Sequence, residues 1–219
     1  MEKRIVVVSG PSGVGKSSII KALSKALPNV TIGKSITTRP PRSGDARETD
    51  DLEYIHVTEE QFTDYIHEQK LLEWKWHPYN GNFYGAVRPE ITPEELQEKR
   101  GFLLFNVDSE GQKALRSFYE GTGLYTSVYL LGSFETLRDR MRARGETEES
   151  IQARLTDAQD RIGECFGYDH IVLTDNRPLE EVVKDIQQIV FDPYNVPPII
   201  PSRKEFDAVL SSFLRYENL

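Results

Sequence analysis

The chain predicts an α/β fold, a central parallel sheet flanked by helices, and three observations carry that reading. Ile5-Val6-Val7-Val8 is a buried-type strand; Ile19, Ile20, Leu23 and Leu27 follow it at helical spacing until Pro28 stops them; and further strand-like runs recur at 101–108, 127–131 and 170–174 with helical stretches between them. Strands that alternate with amphipathic helices build parallel sheets, because each crossover lays a helix on the sheet face. A length of 219 residues fits one core carrying insertions better than two domains in tandem.

The strand at 4–8 and the helix at 16–27 flank Gly10-Pro11-Ser12-Gly13-Val14-Gly15-Lys16-Ser17, a Gly, four residues, then Gly-Lys-Ser. That spacing is a phosphate-binding loop. The glycines allow a tight turn whose N–H groups point at phosphate oxygens, and the following helix brings its positive end to the same anion. Lys16 then reaches the β- and γ-phosphates and Ser17 offers its hydroxyl to Mg²⁺.

From 31 to about 58 the texture becomes polar. Ser35-Ile-Thr-Thr-Arg39-Pro-Pro-Arg42-Ser-Gly44 is cationic and stiffened by prolines, and Tyr54-Ile55-His56-Val57 reads as a strand. Thr58-Glu-Glu-Gln61 is a capping box that opens a helix through Phe62, Tyr65 and Ile66. Leu71 to Trp76 is β-like, and Asn80 to Gly85 reads as a turn-rich segment with an aromatic pair, so 35–90 forms a small β-rich insertion. Thr92-Pro93 starts a capped helix, 101–108 returns to the core as a strand, 112–118 is helical and 127–131 is a strand. A charged helical stretch, broken at Gly145, fills 134–163; 170–174 is the last core strand and 179–190 the last core helix. The proline-rich run from Asp192 is extended. A short helix closes the chain with Phe206, Val209, Leu210, Phe213 and Leu214 on a face that needs a partner.

Composition excludes several classes. Against 27 basic residues stand 35 acidic ones, a formal charge of −8, which argues against nucleic acid or an anionic membrane as partner. The single cysteine, Cys165, cannot form an internal disulfide and reads as an ordinary intracellular thiol. The apolar run after Met-Glu-Lys-Arg is too short for a signal peptide or a membrane span, so the expected location is cytoplasmic.

Outside the loop, four features bear on what else the site binds. Arg39 and Arg42 are either a clamp on a second phosphate or a solvated basic loop. Tyr54 and Tyr84 either donate to that phosphate or are buried structural tyrosines. Glu73 and Asp108 sit in apolar strand contexts, where a carboxylate makes sense if it accepts from a ligand such as the N1–H and exocyclic amine of guanine; acids paired with a nearby Arg are the alternative. Arg140 and Arg144 share one helix face, placed either to pair with neighbouring acids or to close over a transferring phosphoryl group.

Taken together, these pieces resemble guanylate kinases. The match comprises Gly10 to Ser17, Ser35 to Arg42, Leu72-Glu73-Trp74, Gly81-Asn-Phe-Tyr-Gly85, Val107-Asp108 with Gly111, Arg140 with Arg144-Gly145, and Glu149 to Leu155. It spans about 5–190 in the family's order and leaves the tail outside. The resemblance implies a P-loop NTPase core (1–34, 91–133 and 157–191), a small β-rich nucleoside-monophosphate-binding region (35–90), a helical lid (134–156) and an unrelated tail (192–219). It implies transfer of the ATP γ-phosphoryl to GMP, and to dGMP, giving ADP and GDP with Mg²⁺, in a monomer or homodimer whose partners are these small substrates. By position, ATP would be held by Gly10, Pro11, Ser12, Gly13, Val14, Gly15, Lys16, Ser17 and Ser18, with Ser17 on the metal. GMP would be held by Ser35, Arg39, Arg42, Tyr54, Glu73, Tyr84 and Asp108. Lys16, Arg39, Arg140, Arg144 and Arg154 would form the catalytic set.

Some positions depart from the family. Ala86 stands where a Ser or Thr hydroxyl is usual near the base, which implies weaker GMP binding or a relaxed base choice. Asn106 replaces an acid that could help hold hydrated Mg²⁺, and Thr174 an asparagine expected near adenine. Asp45 for Glu and Glu110 for Gln are minor. The intact Gly15-Lys16-Ser17 argues against a catalytically silent binding module.

Overall fold

The computed structural model describes residues 2–41, 53–77, 81–192 and 202–214. Among them, five strands form a central parallel sheet: β1 (Ile5–Ser9), β2 (Val30–Ile32), β7 (Phe102–Asn106), β8 (Tyr125–Leu131) and β9 (His170–Leu173), in the order β2-β7-β1-β8-β9. Every residue of β1 is buried, as expected for a strand covered on both faces. After β1 the chain builds one side of the sheet and later returns to the other, so the end of β1 is a switch point, the place where such sheets open a crevice.

Strand alternation divides the core. Val6, Val8, Leu104, Val128 and Leu130 face α1 (Lys16–Ala26), α5 (Phe134–Arg142), α6 (Glu148–Arg161) and α7 (Leu179–Phe191). Ile5, Val7, Leu103 and Phe105 face α3 (Pro93–Glu98) and α4 (Ser109–Phe118) through Leu96, Leu115 and Tyr119. The helix starts follow capping chemistry. Thr58 and Thr92 make complete capping boxes, for α2 (Glu59–His67) and α3, and Ser133 and Thr147 cap α5 and α6. Gly145 lies between α5 and α6 with φ +78°, in the left-handed region that suits glycine, and a 3₁₀ segment, Ile162–Gly167, follows α6.

A second, mixed sheet has the order β4-β3-β6-β5, from β3 (Ser35–Thr37), β4 (Tyr54–His56), β5 (Leu71–His77) and β6 (Asn82–Val87). It packs on α2 through Ile36, Phe62 and Leu71. Here the structure departs from the sequence expectation: 82–85 is strand, and the turn is confined to its start, where Gly81 has φ +68°. β6 is paired on both edges, antiparallel to β3 and to β5, and this pairing outweighs local turn preference. β2 and β3, three residues each, were also not expected, being too short to show a period. The helix placed at 112 starts at Ser109 because Asp108 caps it, accepting from the N–H groups of Glu110 and Gly111 (3.1 Å each).

The closing helix, α8 (Arg203–Leu214), buries Val209 and Phe213 in the main core against α5. Among the described residues no helix is long and apolar enough to cross a membrane. The expected extended run mostly lies outside the described residues.

Candidate functional site

The loop after β1 takes the shape its glycines permit. Gly10 has φ +143°, and a Cβ there would stand 2.5 Å from the Leu130 carbonyl oxygen; Gly15, at φ +106°, caps α1 without a side chain. Lys16 lies over the loop, its Nζ donating to the carbonyls of Gly10 (2.7 Å) and Pro11 (3.0 Å). Burial lowers its pKa to about 8, a shift that the Glu53 carboxylate opposes and the Arg144 guanidinium reinforces. A cation this strained by desolvation is a ready partner for an anion.

The loop floors an open cleft of about 1400 Å³, and the second sheet forms its opposite wall. Of the residues singled out in the sequence, Gly10, Ser12 to Ser18, Ser35, Arg39, Tyr54, Glu73, Tyr84, Asp108, Arg140, Arg144 and Arg154 all line it. Pro11 contributes its carbonyl to Lys16. Arg42 lies outside the described residues, as does Asp45.

The wall's order comes from strand register. Tyr54 of β4 pairs with Ser35 of β3, Ser35 with Ala86 of β6, and Ala86 with Glu73 of β5. These four residues form one cross-strand row on one face. Two residues along each strand, the next row on that face is His56, Thr37, Tyr84 and Lys75. Ala86 therefore occupies the centre of a row whose other members all carry polar atoms.

Two acids meet at one end of the wall. Lys75 Nζ contacts the Asp108 carboxylate closely and lies 3.1 Å from Glu110 Oε2. Burial pushes the Asp108 carboxyl upward, but Lys75 and the N–H groups of the α4 cap outweigh it and hold Asp108 below the usual carboxylate range. Glu73 goes the other way. Burial, and then the Asp108 charge, push it up to about 7. The sequence alternative of an acid paired with arginine is replaced at Asp108 by a lysine pair.

Arg39 is held by its backbone: its N–H donates to Thr37 Oγ1 (3.1 Å) and its carbonyl accepts from His56 Nδ1 (2.6 Å), while its guanidinium stands 6.0 Å from the centre of the Tyr54 ring. Burial first, then the nearby Glu53 charge, raises the Tyr54 hydroxyl's pKa well above its ordinary value, keeping it a donor. Arg140 reaches from α5 to the Val14 carbonyl (2.7 Å) and to Thr174 Oγ1 and carbonyl oxygen (3.2 and 3.0 Å). Arg154 reaches from α6 to Ser12 Oγ (2.7 Å).

Sequence reasoning missed four residues. Glu146 stands between Arg154 (3.1 Å) and Arg144 (3.9 Å). Glu53, almost fully buried, accepts from Ser17 Oγ (3.1 Å) and Asn106 Nδ2 (2.6 Å). Lys75 and His56 complete the set. Glu53 closes the run Asp50-Asp51-Leu52, which in one dimension reads as a solvated acidic loop; only the β1-β7 pairing shows what it faces. Lys75 did have a signal, standing two residues from Glu73 in a strand and so on its face. Among the described residues no group of three or more His, Cys, Asp or Glu side chains could hold a metal.

The profile of the family described as guanylate kinase matches residues 2–193. The chain is 37% identical to the guanylate kinase of Prochlorococcus marinus subsp. pastoris over 190 residues, covering 86% of this chain and 97% of that protein. It is 34% identical to the guanylate kinase of Synechococcus sp. (strain JA-3-3Ab) over 192 residues, 87% and 83% of the two chains. In fold it is similar to the crystal structure of guanylate kinase from Anaplasma phagocytophilum, with a TM-score of 0.65, 22% identity and coverage of 94% and 95%. The profile runs through the loop, both sheets and the arginine-bearing helices alike, and with relatives this similar over nearly their whole lengths the chain belongs to the guanylate kinase family.

Proposed function

We propose that this protein transfers the γ-phosphoryl group of ATP to GMP, giving ADP and GDP, as a cytoplasmic enzyme acting as a monomer or homodimer. The observation that carries the reading is the cross-strand row in which Tyr54, Ser35 and Glu73, joined through Ala86, line one cleft with the phosphate loop. An acceptor base on Glu73 and Ser35 would put its phosphate toward Tyr54, Tyr84 and Arg39, opposite Lys16. The Glu73 carboxylate matches the adjacent N1–H and amine donors of guanine, and Asp108 offers a second acceptor nearby.

Mg²⁺ fits the loop. The Ser17 hydroxyl and the Glu53 carboxylate are hard oxygen donors 3.1 Å apart, the kind of set Mg²⁺ takes beside phosphates. Held there by Ser17 and Glu53, such an ion would supply neutralisation of phosphate charge. The chain's own groups do the rest. Loop N–H groups and Lys16 hold the donor phosphates, Arg39 and the tyrosines align the acceptor phosphate, and Arg144 and Arg154 stand where charge develops. No base and no covalent intermediate are required, because transfer to an anionic acceptor rests on alignment and charge stabilisation. Residues 134–156 act as a lid, closing over the site and excluding the water that would compete with GMP.

The test is ADP release with ATP–Mg²⁺ and each of GMP, dGMP, IMP, AMP and UMP. GMP should be turned over well above AMP and UMP, and Lys16→Met should lower that turnover by orders of magnitude without loss of folding. Turnover preferring AMP or UMP, or unaffected by Lys16→Met, overturns the assignment.

A further inference from the structure

A phosphate-loop site usually holds its cation between the loop's Ser or Thr and a carboxylate on a neighbouring core strand. Here one of the two strands beside β1 is β7, and at its end, in register with Val8, stands Asn106, an amide without charge. The charge that an acid would bring at this point is instead reached from outside the central sheet. We propose that Glu53 is the cation-side carboxylate of this site, aimed by Asn106 and acting with Ser17 on Mg²⁺; the proposal rests on the kinase reading above.

Three observations support it. Glu53 is 9% exposed, and a carboxylate so buried is costly unless strong donors meet it. Asn106 Nδ2 (2.6 Å) and the hydroxyl of Ser17 (3.1 Å), the loop residue suited to the metal, both donate to its Oε2. The side chain is also placed deliberately. Its backbone lies just before β4, where its carbonyl accepts from Ser35 N–H of the second sheet (2.8 Å), yet its carboxylate reaches Ser17 beside the loop. Finally, its charge is the largest influence opposing the desolvation of Lys16, so its field reaches the phosphate position. The consequence is a link between the two halves of the site: the residue before Tyr54 on the acceptor wall also supports the donor's cation.

The test uses Mn²⁺ as the probe, with a non-hydrolysable ATP analogue on the full chain, and reads bound metal by electron paramagnetic resonance, so that turnover is not needed. Glu53→Gln should weaken Mn²⁺ binding in the ternary complex about tenfold or more, the scale of losing an outer carboxylate of a metal site. The double variant Glu53→Gln/Asn106→Asp, which moves the charge back to β7, should regain most of that loss. Asn106→Asp alone, which leaves Glu53 in place, should bind Mn²⁺ more tightly and melt at a higher temperature with the metal than without it. Mn²⁺ affinity unchanged in Glu53→Gln, or lost and not regained in the double variant, overturns the proposal, as does an Asn106→Asp protein that melts lower with no gain in metal affinity. The acceptor assay on the unaltered chain is separate, so failure of the GMP reading and failure of the Glu53 assignment give different results.

Discussion

Glu73 and Asp108 share one wall of the cleft and yet are pushed in opposite directions, Glu73 up to about 7 by burial and by its neighbour's charge, Asp108 below the usual range by Lys75. The split has a consequence for pH. Below about 7 Glu73 gains a proton and loses acceptor capacity toward the N1–H and amine of guanine, so KM for GMP should rise as pH falls from about 8 to about 6. Glu73→Gln should abolish that dependence while raising KM for GMP far more than that for ATP, and steady-state kinetics across the range check both. Ala86 makes the second prediction. It lies between Ser35 and Glu73 in the cross-strand row, so Ala86→Ser places a hydroxyl at the one apolar position there. One neutral hydrogen bond contributes about 1 kcal/mol, so KM for GMP should fall about fivefold. Inosine monophosphate as a control shows how much of the gain reads the 6-oxo group, which both bases share.

At the scale of the element, α8 is the part outside the family match. It packs on the start of α5: Phe213, 1% exposed, sits with its ring centre 5.8 Å from that of Phe134, and the Phe134 N–H donates to Ser212 Oγ (3.0 Å). Of the face that the sequence expected to need a partner, Val209 and Phe213 are thus buried in the main core, where Phe213 packs against α5, the helix that carries Arg140 to the loop, while Phe206 packs beside Phe166. Phe213→Ala removes a fully buried ring and should cost about 3–5 kcal/mol. In a chain of this size that lowers Tm by roughly 10 °C, measurable by calorimetry. The same scale shows where local reading fails. Residues 82–85 have turn-like composition, and they are strand because β3 and β5 take the backbone groups on both edges. The capped helices are the opposite case, since Thr58 with Gln61, and Thr92 with Glu95, satisfy each other within four residues.

At the scale of the whole molecule, the two sheets bound one cleft, and a single thiol reports on the core beneath it. Cys165 is fully buried in the main core, and burial pushes its pKa up to about 11. It should react with a disulfide reagent only as fast as the core opens, and at full rate in denaturant, a difference readable by absorbance. Fast reaction in the folded protein would show that the packing around the 3₁₀ segment is wrong. By itself the sequence determined the phosphate loop, the strand and helix that present it, the alternation that makes the sheet parallel, and the caps of α2 and α3, because each rests on residues close together along the chain. For Arg39, Tyr54, Glu73, Tyr84 and Asp108 the residues alone left a structural alternative open beside the functional one, and only the family resemblance chose between them. The tertiary structure decided what lies between distant segments: the row that joins Tyr54, Ser35, Ala86 and Glu73, the Lys75 that holds Asp108, the Glu146 between two arginines, and the Glu53 that meets Ser17 and Asn106. Those contacts depend on which strands neighbour one another and in what register, and although each strand's pattern fixes the face it buries, the choice of neighbour is made between segments far apart along the chain.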